Sequence, residues 1–262
     1  MRMTRSSMKS SHQPRNTDTL NKKGERSPFL SFLKMTKIIL FIILLFAGVA
    51  HAECDQFYPN GLKIQPLGTV ELCNVFFVTQ YDDVNRKALF SSELLSPGEH
   101  NVRRRDTFRA DGRVRNPVKS FEYYDSGYDR GHLVPADDAN NNEEMFDTFL
   151  MTNMTPQNPK LNRGPWKQLE NKIRKEVNLS GKPAIVVTGA IYAKENFMKD
   201  VPIPTGYYKI LYIDGAKPIA YYANNNDRTR PHSVTVNWIN VKTGLKFPKT
   251  TSRVARRHWY EN

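Results

Sequence analysis

The chain has 262 residues, 39 Lys and Arg against 26 Asp and Glu, a net charge of +13, and two cysteines. That length allows one large domain or two small ones with a real core, and 39% hydrophobic with 11% aromatic residues excludes a disordered polymer. Two cysteines exclude a disulfide-scaffold miniprotein and a four-cysteine zinc module, and a single strongly apolar run excludes a multi-span membrane protein.

In chain order, residues 1–34 are polar, carry Ser, Lys and Arg, and show no period. Ile38 to Ala50 is then a run of 13 apolar or small residues, preceded by Lys34 and Lys37 and followed by Ala50-His51-Ala52. Basic residues, a short apolar run and a small-x-small site form the pattern of a secretory signal peptide, and the run falls short of the ~20 residues that span hydrocarbon. An uncut N-terminal anchor is the alternative. Met35-Thr36-Lys37 would make an ordinary start for such a signal, so Met35 is a candidate initiator. The expected organisation is an N-terminal extension and signal peptide over 1–52 and one domain over 53–262, periplasmic or secreted, with no stable membrane association after cleavage. Glu53 separates Cys54 from the proposed cut and argues against lipidation. Residues 53–262 hold 30 Lys and Arg against 24 Asp and Glu, a moderate excess that favours a polyanionic partner. Export also favours a Cys54–Cys73 disulfide, closing a loop of about 20 residues worth roughly 3 kcal/mol.

Cys73 to Tyr81 and Lys87 to Leu95 read as a strand pair turning at Asp82-Asp83-Val84-Asn85. Arg103 to Arg115 is loop-like and basic, and Glu143 to Phe149 is a short helix candidate. A longer helix is expected over Gly164 to Val177, with Pro165 in its first turn and Trp166, Leu169, Ile173 and Val177 on one face. Ala184 to Thr188, Tyr207 to Ile213 and Ile219 to Ala223 read as strands. Strands on both sides of central helices imply a mixed α+β domain.

Two segments carry chemistry. The first is Gly127-Tyr-Asp-Arg-Gly-His-Leu-Val-Pro-Ala136, and the second runs from Thr152 to Glu170 with Asn153, Pro156, Gln157, Leu161, Asn162, Trp166 and Leu169. Together they resemble the DNA/RNA non-specific endonucleases, the sugar-nonspecific branch of the ββα-metal nucleases, to which bacterial secreted nucleases and mitochondrial endonuclease G belong. The D-R-G-H box stands intact at Asp129 to His132, and weaker echoes extend the likeness from about Cys73 to Phe247. Four letters alone arise by chance; with the second block thirty residues later the pattern is specific. Arg163 and Pro165 around Gly164, and Gly206 where relatives often carry a larger side chain, depart from it.

The resemblance implies a central antiparallel sheet flanked by helices, with His132 at the hairpin end of a metal-binding finger and Asn162 at the start of its helix. His132 can be neutral near pH 7 and accept a proton, and Asn162 offers a neutral oxygen to a hard cation such as Mg²⁺, with Mn²⁺ or another divalent ion as alternatives. By resemblance His132 is the general base, Asn162 the metal ligand, and Glu170 an acceptor that orients metal-bound water. Arg130 and Arg105 are expected to neutralise charge on the phosphate, with Arg109, Asn153 and Gln157 as substrate-binding or positioning residues. Asp129 is expected to brace the loop, and Trp166 to pack in the core. The expected partners are DNA and RNA, with a homodimer as one oligomeric option, and the expected products carry 5′-phosphates. The rival readings are a non-catalytic extracytoplasmic protein that captures nucleic acid and a phosphodiesterase for small nucleotides. Pure binding does not require His132 paired with Asn162.

Overall fold

The computed structural model describes residues 54–192 and 196–251. The expected signal peptide lies outside them.

Eleven strands are formed among the described residues: β1 Val70–Cys73, β2 Phe77–Asp82, β3 Lys87–Leu95, β4 Asp129–His132, β5 Met154–Gln157, β6 Ala184–Ile191, β7 Phe197–Met198, β8 Val201–Pro202, β9 Gly206–Ile213, β10 Ile219–Asn224 and β11 His232–Val234. Seven build one antiparallel sheet in the order β1-β2-β3-β6-β9-β10-β11, while β4 pairs with β5 and β7 with β8 in separate hairpin-like ladders. The expected α+β class with a central antiparallel sheet is therefore present.

The longer α-helices among the described residues are α1 Asn142–Thr148, α2 Lys167–Ser180 and α3 Val236–Thr243, with a short helical turn at Pro159–Leu161 before α2. Asn141 caps α1 by accepting from the backbone of Glu143 and Glu144, and Thr235 caps α3 by accepting from Trp238. Residues α2 presents every third or fourth position, Leu169, Ile173 and Val177, are buried against one face of the sheet together with Trp166. Period-2 alternation divides the central strands: Tyr207 and Leu211 of β9 face α2, whereas Tyr208, Ile210 and Tyr212 face a second core with Phe57, Phe90, Ile239 and Phe247. Being covered on both sides, β6 is buried almost throughout.

The expected α2 starts later than its periodicity suggested. Residues Asn162–Trp166 form a π-helical turn, broken at Gly164 (φ −112°, ψ −110°), and regular helix begins at Lys167. Cys73 belongs to β1, and Asn74 closes the turn into β2. The expected Cys54–Cys73 disulfide is formed, with Cα atoms 5.8 Å apart, and pins the N-terminal turn to β1. Gly206 has a packing reason: a Cβ there would meet the Tyr222 hydroxyl at 2.5 Å and its ring at 2.6 Å.

Candidate active site

The site is built where the short β4–β5 ladder meets the entrance to α2. Register pairs Asp129 with Gln157 and His132 with Met154, so the D-R-G-H box is a strand whose last residue is the histidine. Gly131 is required by close approach: a Cβ there would sit 2.4 Å from Gln157 Oε1 and 2.5 Å from its Cβ. The strand end is locked by Asn153, which is fully buried. Its Oδ1 accepts from the backbone N of Val134 at 3.0 Å and from Ser91 Oγ at 3.2 Å. Its Nδ2 donates to the carbonyls of Val134 and Thr148 at 3.0 and 2.9 Å.

From β4 the side chains of Asp129, Arg130 and His132 line a cleft of about 370 Å³, faced by Asn162, Arg163, Lys167 and Glu170 from the α2 side and by Arg104 and Phe108 from the basic loop. The His132 ring stacks edge-on against Phe149 at 5.0 Å and tilts against Phe108 at 5.9 Å. Its Nε2 is enclosed without a partner, which leaves Nδ1 as the ring nitrogen open to the cleft. Burial chiefly, then the positive charges of Arg104 and Arg130, push the His132 pKa down to about 3, so the ring is neutral in the free protein at neutral pH.

Asn162 is held at the turn into α2 by its backbone N donating to Asn158 O at 2.9 Å. Its Nδ2 donates to Asp129 Oδ2 at 2.9 Å, and Arg163 grips the same carboxylate through Nε at 2.8 Å and a terminal nitrogen at 2.5 Å. Asp129 thus braces the two arms, as expected. With the amide nitrogen so engaged, the Asn162 oxygen is the polar atom left for a ligand. Glu170, one turn into α2, has a carboxyl pushed up to about 7 by burial, an effect opposed by Lys209 with its Nζ 3.7 Å from Oε1. Among the described residues the one group of three His, Cys, Asp or Glu side chains close enough to cage a metal is Cys54, Glu71 and Cys73, whose thiols are spent in the disulfide. The cleft offers instead hard oxygens from Asn162, Glu170 and Asp137 along its lining. That donor set suits a largely hydrated hard cation rather than a caged transition metal.

Four expected site residues stand outside this cleft lining. Arg105 is exposed; it is Arg104, one residue earlier, that lines the cleft, with its guanidinium 5.2 Å from the Phe149 ring centroid. Arg109 is committed to α1: it donates to Phe146 O and, at 3.1 Å, to Asp147, and stacks 3.4 Å from the Phe146 ring. Asn153 and Gln157 are buried next to β4 and absent from the cleft lining, a place that suits positioning of the strand. Arg130 lines the cleft, with its guanidinium 4.2 Å from the Phe108 ring centroid and bonded to Ser120 Oγ at 2.8 Å. Two residues that sequence reasoning missed are Arg174, which donates to Asp138 beside the cleft, and Lys209. Arg174 sits four residues after Glu170, a helical neighbour spacing that could have flagged it.

A family model described as DNA/RNA non-specific endonuclease matches residues 55–254. A nuclease from Nostoc sp. is 40% identical over 120 residues, covering 43% of each chain. Human mitochondrial endonuclease G is 32% identical over 161 residues, 53% of each chain. The Serratia marcescens nuclease is 29% identical over 131 residues, 45% of this chain and 49% of its own. The chain thus spans about half the length of the curated relatives it matches. Among solved structures, the EndoG/EndoGI complex superposes with a TM-score of 0.60 at 25% identity, over 68% of this chain and 84% of the other.

Proposed function

Because this chain belongs to the DNA/RNA non-specific endonuclease family, we propose that it is a metal-dependent endonuclease that hydrolyses phosphodiester bonds of DNA and RNA with little sequence preference. The observation that carries the reading is the convergence of His132 Nδ1 and Asn162 on one cleft walled by Arg104, Arg130, Arg163 and Lys167. A scissile phosphate entering it finds a base, a neutral oxygen donor and a cationic lining, and none of these groups addresses a base edge or a 2′-hydroxyl.

In the reaction His132 Nδ1 takes a proton from the attacking water. A base held at about 3, chiefly by burial, is weak; a phosphate anion seated between Arg104 and Arg130 offsets the lesser part of that depression, which those two charges cause, and raises its basicity. Asn162 would hold the divalent cation through its amide oxygen, and Glu170 would accept from a water at that cation. When bound, the cation supplies Lewis-acid stabilisation of the phosphate and leaving oxygens. Arg130, fixed from behind by Ser120 and Phe108, donates to the non-bridging oxygens as negative charge builds there. Water oxygen joins phosphorus, the bond to the 3′-oxygen breaks, and the released strand carries a 5′-phosphate. The disulfide supports an oxidising, extracytoplasmic compartment, with residues 53–262 as the exported domain.

The test is digestion of plasmid DNA and total RNA by purified protein in Mg²⁺, in EDTA, and by His132→Ala in Mg²⁺. Both polymers should disappear in Mg²⁺ alone, with the variant slowed by about 10²–10⁴-fold. Wild-type protein that binds nucleic acid yet cuts neither polymer with any divalent ion would leave a capture protein.

A further inference from the structure

One buried charged side chain has no part in the chemistry above. Lys209 lies in the middle of β9, 1% exposed, on the face that meets α2. An ammonium there is costly unless it is well paired. Its Nζ donates to Thr188 Oγ1 at 2.6 Å, the residue directly opposite on β6, and to the carbonyl of Leu133 at 3.3 Å. It also lies 3.7 Å from Glu170 Oε1 and 5.7 Å from the Trp166 ring centroid. Leu133 directly follows His132, so one ammonium, anchored to the rigid centre of the sheet, touches both the strand that carries the base and the carboxylate on α2.

We propose that Lys209 is a positioning residue for the hydrolysis, tying the Glu170 carboxylate on α2 to the end of the strand that carries His132. The proposal rests on the nuclease reading for its role in turnover.

The other charged groups around Glu170 do not fill this place. Arg174, on α2 itself, is bonded to Asp138 and lies 3.9 Å from Asp137, both on the turn after β4. Glu93 on β3 is fully buried with neither carboxyl oxygen bonded, and burial, then Asp138, holds its pKa well above the ordinary range. Asp137 and Asp138 act on Glu170 in the same direction as burial, whereas Lys209 is first among the groups that oppose it. Among the described residues Lys209 is the cation in ion-pair range of Glu170.

A residue that merely fills the core would weaken the fold whatever stands at position 170. A residue acting through Glu170 would matter only while that carboxylate is there, and a mutant cycle separates the two. The experiment compares the full-length wild type, Lys209→Met, Glu170→Gln and the double variant for kcat and KM on DNA at pH 7. It also compares the crystal structures of wild type and Lys209→Met. Lys209→Met should lower kcat at least 30-fold with KM changed less than threefold, and should cost less than threefold more in the Glu170→Gln background. The Glu170 carboxylate should shift by about 1 Å or more in Lys209→Met, and Lys209→Arg should restore most of its place and of kcat. Losses that multiply in the double variant, or a Glu170 carboxylate that stays in place, would overturn the proposal. Should Lys209→Met fail to fold, Thr188→Val, which removes the bond that anchors the ammonium to β6, replaces it in the same cycle and the same structural comparison. A wild type that cuts neither polymer would remove the nuclease reading, and the two crystal structures would still decide whether Lys209 holds Glu170.

Discussion

At the scale of single residues, function is set by which side chains share the cleft, and neighbours in sequence part company there. Arg104 and Arg105 are both exposed, but Arg104 lines the cleft and Arg105 does not, so Arg104→Ala should lower kcat/KM on plasmid DNA by about 10–100-fold and Arg105→Ala by less than about threefold, read from initial nicking rates at fixed salt. Glu170 sets activity against stability. Its carboxyl rises from an ordinary 4.5 to about 7, so the folded protein keeps the proton to higher pH than the unfolded chain does. Stability from this group is therefore complete below about pH 4.5 and lost as pH climbs through 7, on the order of 2–3 kcal/mol by pH 8. Glu170→Gln should accordingly raise Tm at pH 8, give little gain near pH 4, and lose most turnover at both; a variant less stable than wild type at pH 8 would refute the assignment. The D-R-G-H box and the block ending at Glu170 were legible in the sequence because each is a contiguous pattern. The choice of Arg104 over Arg105 was not, since adjacent residues in an irregular loop carry no periodicity to say which side chain turns inward.

Among the elements, the β4–β5 ladder and the entrance to α2 stand as two walls of the cleft, held in place by residues absent from its lining. Asn153 satisfies the backbone N and O of Val134 and the carbonyl of Thr148. Asn153→Ala leaves those buried groups unpaired and should cost about 3 kcal/mol or more in denaturant unfolding. DNA affinity, measured with His132→Ala to prevent cutting, should change less than about twofold, because phosphate contacts set it; a selective loss of affinity would return Asn153 to the substrate. Gly131→Ala forces a methyl into the buried Gln157 side chain, so unfolding should be easier by about 1–3 kcal/mol, and turnover should fall with it as His132 is displaced. Strands β2, β3, β6, β9 and β10 and the apolar face of α2 were readable from period 2 and period 3.6. The π-helical turn was not: Asn162 to Trp166 scan as the first turn of the helix, and only the break at Gly164 shows that Asn162 is presented on a separate turn.

Across the described residues, the sheet is an anchor plate, with the cleft on its α2 face and the disulfide joining the turn at Asp55–Phe57 to its β1 edge. Because Cys54 and Cys73 are absent from the cleft lining, reduction should lower Tm and stability by roughly 3 kcal/mol while leaving activity at 25 °C within about twofold; a Cys54→Ser, Cys73→Ser variant assayed by thermal melt and DNA cleavage tests both halves. What the sequence by itself determined is the family, the α+β class, the two motif blocks and most regular elements, because each is encoded in side-chain types a few residues apart. Only the tertiary structure decided that Arg109 is spent on α1, that Asn153 and Gln157 buttress β4, and that Lys209 lies beneath Glu170. Those roles depend on pairings between residues tens of positions apart, on which face of a strand each side chain falls, and on how much water burial removes, and no local pattern of residues records any of the three.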